Sequence, residues 1–192
     1  LNLFAKKSIP VTAFWVADTA RRFPEIVREM ESAGHETGTH SLYHETVGDS
    51  LFEIPGTYPL LPEEVQPRIK LATDILEDIV GHKVVSWRCP RLFGGTHVTN
   101  ALEALGYECD ATYPMYFYNE QLFPYHPSQE NWTEQGSLNL IEIIQFADMG
   151  MESKDDYGRD KDQWPLYRTQ STEDFIPHIE SFMSYLEKND QS

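Results

Sequence analysis

Cysteine is scarce. Cys89 and Cys109 are the two in 192 residues, too few for a disulfide framework and not spaced as a close metal-binding pair, so they leave the redox compartment open. Positive charge is scarce too: 15 Lys and Arg stand against 31 Asp and Glu, a formal net charge of −16. Most of the surface would repel a nucleic-acid backbone or an anionic membrane, and a neutral or cationic ligand fits better. No stretch approaches the ~18 apolar residues of a membrane-spanning helix, and no basic segment followed by an apolar run marks the N-terminus. Neither nucleic-acid binding nor membrane insertion is expected. The compartment stays open: cytoplasmic for the chain as it stands, extracytoplasmic if a longer protein carries a leader. Internal repeats and low-complexity tracts are missing as well. What remains is globular, with 40% hydrophobic, 12% aromatic and 24% charged residues. The length suits one domain, expected over residues 1–192.

Ile9 to Val16 is a short apolar run rich in β-branched and aromatic residues, the pattern of a parallel strand buried on both faces. One helix is expected after it, capped by Thr19, with Ile26, Val27, Met30 and Ala33 at helical spacing before Gly34. His35 to Thr39 reads as a short strand and His40 to Leu61 as loop. Pro62-Glu63-Glu64 opens a second helix, whose stripe of Ile69, Ala72, Ile75, Leu76 and Ile79 ends at Gly81. Val84 to Trp87 predicts a strand, Val98 to Leu105 a helix, and Tyr107 to Ala111 another strand. A long aromatic loop follows to Gly136, then a strand over Leu138 to Ile144 and a last helix over Thr172 to Lys188. This alternation is that of an α/β protein with mostly parallel strands. Periodicity does not separate a barrel from an open sheet.

His40 and His44 stand four apart just after a strand. If the segment turns helically, both imidazoles project from one face and can share a metal. Seven histidines in 192 residues give such a spacing by chance in about one chain in four, so context must decide. Arg88-Cys89-Pro90 supplies it: another strand ends at Trp87, and its loop should open on the same face with a guanidinium beside a rigid proline.

Gly34-His35-Glu36-Thr37-Gly38-Thr39-His40-Ser41-Leu42-Tyr43-His44-Glu45 resembles the second motif of the polysaccharide deacetylases, the NodB-homology domain or carbohydrate esterase family 4. Arg88-Cys89-Pro90 is similar to their R-x-P motif, and Lys7 to Val16 to their second strand. The resemblance covers about Leu1 to Asp110. It implies a distorted (β/α) barrel of about seven strands, the first of them absent from this chain. A divalent metal, commonly zinc, would be held by His40, His44 and an Asp, and a second Asp would act as general base. Arg88, the catalytic-site residue of that motif, would hold the base carboxylate, and a backbone N–H just after Pro90 would help bind the oxyanion. The family's Asp-Asp motif has no counterpart here and is expected upstream of Leu1, where Leu1 to Lys7 reads as the tail of a preceding helix. Asp18 is read as a helix cap rather than a replacement ligand. Asp110 is a candidate for the family's fourth-motif acid. His126 and His178 read as solvated histidines, and Tyr113, Tyr116, Phe117, Tyr118 and Trp132 as a loop packed on its own core or a sugar-stacking wall.

Three functions follow. The first is metal-dependent amide hydrolysis, as N-deacetylation of an amino-sugar polymer such as a peptidoglycan or chitin-like glycan. The second is a cytoplasmic hydrolase of a small cyclic ureide or imide from the same superfamily. The third is a non-catalytic carbohydrate-binding or scaffold barrel.

Overall fold

The apolar runs pair as parallel strands in chain order. In the computed structural model, which describes residues 2–118, 120–145 and 171–188, β1 (Thr12–Trp15), β2 (Glu36–Thr39), β3 (Ser86–Trp87), β4 (Cys109–Asp110) and β5 (Ile141–Glu142) form one five-stranded sheet, β1-β2-β3-β4-β5. Every neighbouring pair is parallel. A doubly wound sheet would reverse its order at some point; a sheet that steps always the same way is part of a barrel wall. That settles the choice the periodicity left open. Among the described residues β1 and β5 do not pair with each other, so the wall is not closed. Tyr125 makes an isolated antiparallel bridge to Glu142 and covers part of the β5 edge.

Helices fill the crossovers. α1 (Asn2–Lys7) precedes the sheet; α2 (Ala17–Arg22) and α3 (Pro24–Ser32) join β1 to β2, α4 (Pro62–Val80) joins β2 to β3, and α5 (Thr96–Leu105) joins β3 to β4. The single helix expected after β1 is two, because Pro24 opens α3 as its first residue and Phe23 leaves helical geometry. Thr19 lies inside α2, whose N-cap is Val16. The strand expected to be buried on both faces is only half-buried throughout, as an edge strand is. α4 starts at Pro62 as expected; the Glu64 carboxylate reaches back to the Leu61 N–H (3.0 Å), and Gly81 ends the helix in the left-handed region at φ 80°.

α4 carries the packing. Its Val65 and Ile69 join Trp87, Cys89, Val98, Leu102, Tyr107 and Leu140 in one core, while Ala72 and Leu76 join Ala17, Ala20, Val27, Leu42 and Val84 in another. The buried Tyr107 hydroxyl lies 2.5 Å from Thr73 Oγ1 on α4 and donates to Thr39 Oγ1 on β2 (2.9 Å). This ties helix to sheet directly behind the end of β2. Burial pushes that phenol up to about 12, so it stays a neutral donor. Both cysteines are free thiols, and among the described residues no helix is long and apolar enough to cross a membrane.

Two units separate by their internal contacts. Leu1–Tyr113 with Glu120–Gln145 is the sheet-bearing unit; Pro114–Asn119 with Phe146–Ser192 is the other. The second contains α6 (Thr172–Lys188), at the bounds its periodicity predicts.

Gly38 on β2 faces Phe14 of β1. A Cβ there would stand 2.6 Å from Phe14 Cδ1 and 3.1 Å from Ser86 O. Gly38→Ala is therefore expected to overpack the sheet and lower the thermal unfolding midpoint by roughly 3–10 °C. An unchanged midpoint would show that the Phe14 ring has room to move.

Candidate active site

The strand ends gather the motif residues. His40 directly follows β2, and its N–H donates to Trp15 O (2.8 Å); Arg88 directly follows β3, and its N–H donates to Thr39 O (3.0 Å). The two loops are then joined by a side chain: His40 Nδ1 lies 2.7 Å from Arg88 O. A carbonyl only accepts, so Nδ1 carries the proton and Nε2 keeps its lone pair.

His44 arrives beside His40 by a route the spacing did not predict. The segment after β2 is a non-helical bend, with Ser41 and His44 both in the left-handed region at φ 63°, a conformation that costs a non-glycine residue free energy and persists only where its surroundings enforce it. Here they do. The Glu45 carboxylate accepts from Tyr43 N–H (2.6 Å) and Ser41 Oγ (3.1 Å), and the Ser41 hydroxyl oxygen accepts from His44 N–H (3.0 Å). Arg68 of α4 stands 3.7 Å from Glu45. From the β3 loop, Arg91 Nη1 donates to His44 O (3.1 Å), and Arg91 itself has φ 59°. The imidazole rings end up 5.0 Å apart between centroids and inclined at 67°. The sharing of one face came from clamped left-handed turns, not from a helical turn.

Both rings are biased toward the neutral form. Burial is the largest cause for each, and it pulls His40 down to about 4 and His44 below the ordinary histidine value. A divalent cation needs neutral imidazoles with a free lone pair. His40 meets that requirement through its Nδ1–H bond, and two imidazoles suit a borderline metal such as zinc. The fit extends to two ligands: among the described residues no group of three or more His, Cys, Asp and Glu could hold a metal ion.

The Arg88 side chain is partly buried. Its Nε donates to Ala111 O (2.9 Å), and its guanidinium carbon is 4.5 Å from the centre of the Phe14 ring. So the three residues singled out in the sequence converge: His40 touches the Arg88 backbone, and His44 packs on His40. Asp110 is wholly buried on β4, paired with Trp87. Asp18 is no cap. Its carboxylate is gripped by Arg21 (2.7 Å) and Arg22 (2.6 Å) one turn on, and the Arg21 hydrogen bond chiefly holds it below the usual carboxylate range. His126 Nδ1 bonds to Leu140 O (3.1 Å), a tie within its own loop. Tyr113 and Trp132 are buried with ring centres 5.7 Å apart. They are core rather than a sugar-stacking wall.

Sequence reasoning missed Arg91 and Glu142. Nothing local marks Arg91. Glu142 did leave a signal: alternation along 138–144 sets it on the same buried face as Leu140, a charge where the pattern demands an apolar residue.

Residues 1–109 match the family model described as polysaccharide deacetylase. The chain belongs to the polysaccharide deacetylase family. Solved structures agree on the fold. A putative polysaccharide deacetylase from Mycobacterium smegmatis shares 23% identity at TM-score 0.59, over 76% of this chain and 43% of that one. A probable polysaccharide deacetylase from Pseudomonas aeruginosa PAO1 shares 19% at 0.62, over 98% and 53%. PuuE allantoinase shares 19% at 0.61, also over 98% and 53%. The chain thus spans about half the length of these structures. No curated protein matches it.

In the metal-free protein the His40 ring is expected to stay neutral down to about pH 4, read by NMR titration of the imidazole signals. Because its folded value is depressed, the unfolded chain takes up the proton first on acidification. His40 therefore costs stability as pH falls from about 6.5 to about 4. A midpoint near the ordinary histidine value would mean that the ring is not buried as described, since burial is what lowers it.

Proposed function

We propose that this chain carries the histidine half of a metal-dependent amide hydrolase that N-deacetylates an amino-sugar polymer of the peptidoglycan or chitin type. One observation carries the reading: the Nδ1–H of His40 is committed to Arg88 O, which leaves Nε2 as a lone pair beside the His44 ring at the C-terminal ends of parallel strands, where barrel enzymes place their chemistry. The family match supports the choice of amide and of sugar.

His40 and His44 would hold the metal. Bound there, a divalent ion supplies Lewis acidity toward an amide carbonyl and toward water. The chain's own residues do the rest. The Arg88 carbonyl fixes the His40 tautomer, and the Glu45 and Arg91 clamps hold the His44 backbone against its strain. Neutral imidazoles at neutral pH keep the ligand atoms unprotonated. The Arg88 guanidinium, held between Phe14 and Ala111 O, presents fixed positive charge suited to orienting a carboxylate that acts as base. The reading requires a carboxylate ligand and a base in addition to these residues, and the resemblance assigns both to an Asp-Asp motif.

A second reading, hydrolysis of a small cyclic ureide or imide, draws on PuuE allantoinase, which covers the chain as fully as the probable deacetylase does and at nearly the same TM-score. The backbone likeness does not choose between them; the family match favours deacetylation.

The gene product is expected to bind zinc stoichiometrically and to release acetate from N-acetylglucosamine oligomers. His40→Ala and His44→Ala should each lower both by about 100-fold. Ring opening of a cyclic imide without acetate release would replace the first reading with the second. Absence of both metal and turnover would leave a carbohydrate-binding barrel.

A further inference from the structure

The bend that carries the histidine pair also carries an aromatic. Tyr43, directly before His44, is 61% exposed, in a molecule that buries Tyr107, Tyr113, Tyr125 and Trp132. Its backbone is held. The Tyr43 N–H donates to the Glu45 carboxylate (2.6 Å), and the bend around it keeps Ser41 and His44 at φ 63°. A large aromatic left in water forgoes the free energy that burial would recover. On a fixed backbone it is a platform, because little ordering remains to be lost when the flat face of a ligand settles on it.

Positive charge is set beside it. α2 docks on the same bend through two backbone bonds: the Ala17 N–H donates to Ser41 O (3.0 Å) and the Asp18 N–H to Leu42 O (3.1 Å). The Asp18 carboxylate then anchors Arg21 (2.7 Å) and Arg22 (2.6 Å), while the two arginine side chains stay 63% and 68% exposed. A guanidinium has five N–H donors in a fork that fits a carboxylate, so much of each fork is left for a ligand. One carboxylate against two guanidiniums leaves one positive charge. Glu45, the acid of the bend itself, is engaged by the clamp and faces Arg68. The net charge of −16 favours a neutral or cationic ligand at long range. Salt screens that field beyond about 10 Å at 0.1 M, and on contact the local arginines decide.

We propose that Tyr43, Arg21 and Arg22 form a glycan subsite beside the histidine pair, in which the tyrosine ring stacks on a pyranose face and the guanidiniums pair with a carboxylate that the glycan carries. Such a subsite selects acid-bearing amino-sugar polymers of the peptidoglycan type over neutral ones of the chitin type. It supplies the stacking surface that Tyr113 and Trp132, as core residues, do not. Arg21 and Arg22 are then specificity residues, and Asp18 is the residue that positions them. The assignment rests on the deacetylation reading above and narrows its substrate.

The test compares two ligands that differ only in charge: an oligomer of alternating N-acetylglucosamine and N-acetylmuramic acid with its lactyl carboxylates free, and the same oligomer with those carboxylates converted to neutral methyl amides. Calorimetry on the full chain should give a dissociation constant about tenfold lower for the acid. The ratio should shrink toward one as salt rises from about 0.05 M to about 0.5 M. Arg21→Gln with Arg22→Gln should bring the two constants together. Tyr43→Ala should weaken both ligands by about tenfold, and Tyr43→Phe should restore them, since stacking needs the ring and not the hydroxyl. The salt series needs no substitution, so a variant that fails to fold leaves the test intact. No binding of either oligomer, equal affinity for acid and amide, a preference that survives loss of both arginines, or a Tyr43→Ala chain that binds like the wild type would overturn the proposal. Acetate release from the same oligomers separates the two claims. A preference for the acid without release keeps the subsite and removes the deacetylation reading, whereas release with equal affinities does the reverse.

Discussion

One hydrogen bond organises the mouth of this sheet, from His40 Nδ1 to the carbonyl of Arg88. It joins the loop after β2 to the loop after β3, and it chooses the tautomer that leaves Nε2 available. A side-chain bond at this place does more than a backbone ladder would. The β2–β3 ladder pairs Thr39 with Trp87, and beyond it the Arg88 N–H bond to Thr39 O and the Arg91 bond to His44 O also join the two loops. The Thr39–Tyr107–Thr73 hydroxyl chain behind it braces the same strand end against α4. Ligand geometry and fold stability thus meet within a few residues.

The strain in the site has the same logic. Ser41, His44 and Arg91 all adopt left-handed backbone conformations, which non-glycine residues avoid unless held. The holding groups are side chains of the loops themselves: Glu45 inside the β2 loop, Arg91 reaching from the β3 loop to His44 O. Together the clamps fix a ring position that the helical spacing would not produce. Near the imidazoles the Arg88 guanidinium is held between Phe14 and Ala111 O, and Asp110 and Glu142 are wholly buried on β4 and β5. The buried Glu142 is tolerated beside a turn that gives it the N–H groups of Thr112 and Tyr113.

Family membership and fold are secure on different grounds. The match over residues 1–109 places the chain among the polysaccharide deacetylases, while the solved structures, all below 25% identity, speak for the backbone. A fold shared by a deacetylase and an allantoinase says that substrate choice lies in side chains around the mouth. Of the five aromatics that a sugar-stacking wall would use, Tyr113 and Trp132 are consumed by the core.

Element order and the two histidines with Arg88 were legible in the sequence alone, because apolar periodicity and Gly and Pro punctuation are local properties and a motif is a local string. The bounds of α4 and α6 followed from that punctuation; the break at Phe23 was present as Pro24 but was overridden by the apolar stripe. What only the tertiary structure decided is everything that depends on which strand lies beside which. Sequential stepping made the sheet a barrel wall, and left-handed turns replaced a helical turn between His40 and His44. Registry between β4 and β5 brought Asp110 to Glu142, residues thirty-two apart in the chain. Such pairings are set by packing across the whole sheet, and no window of sequence contains both partners.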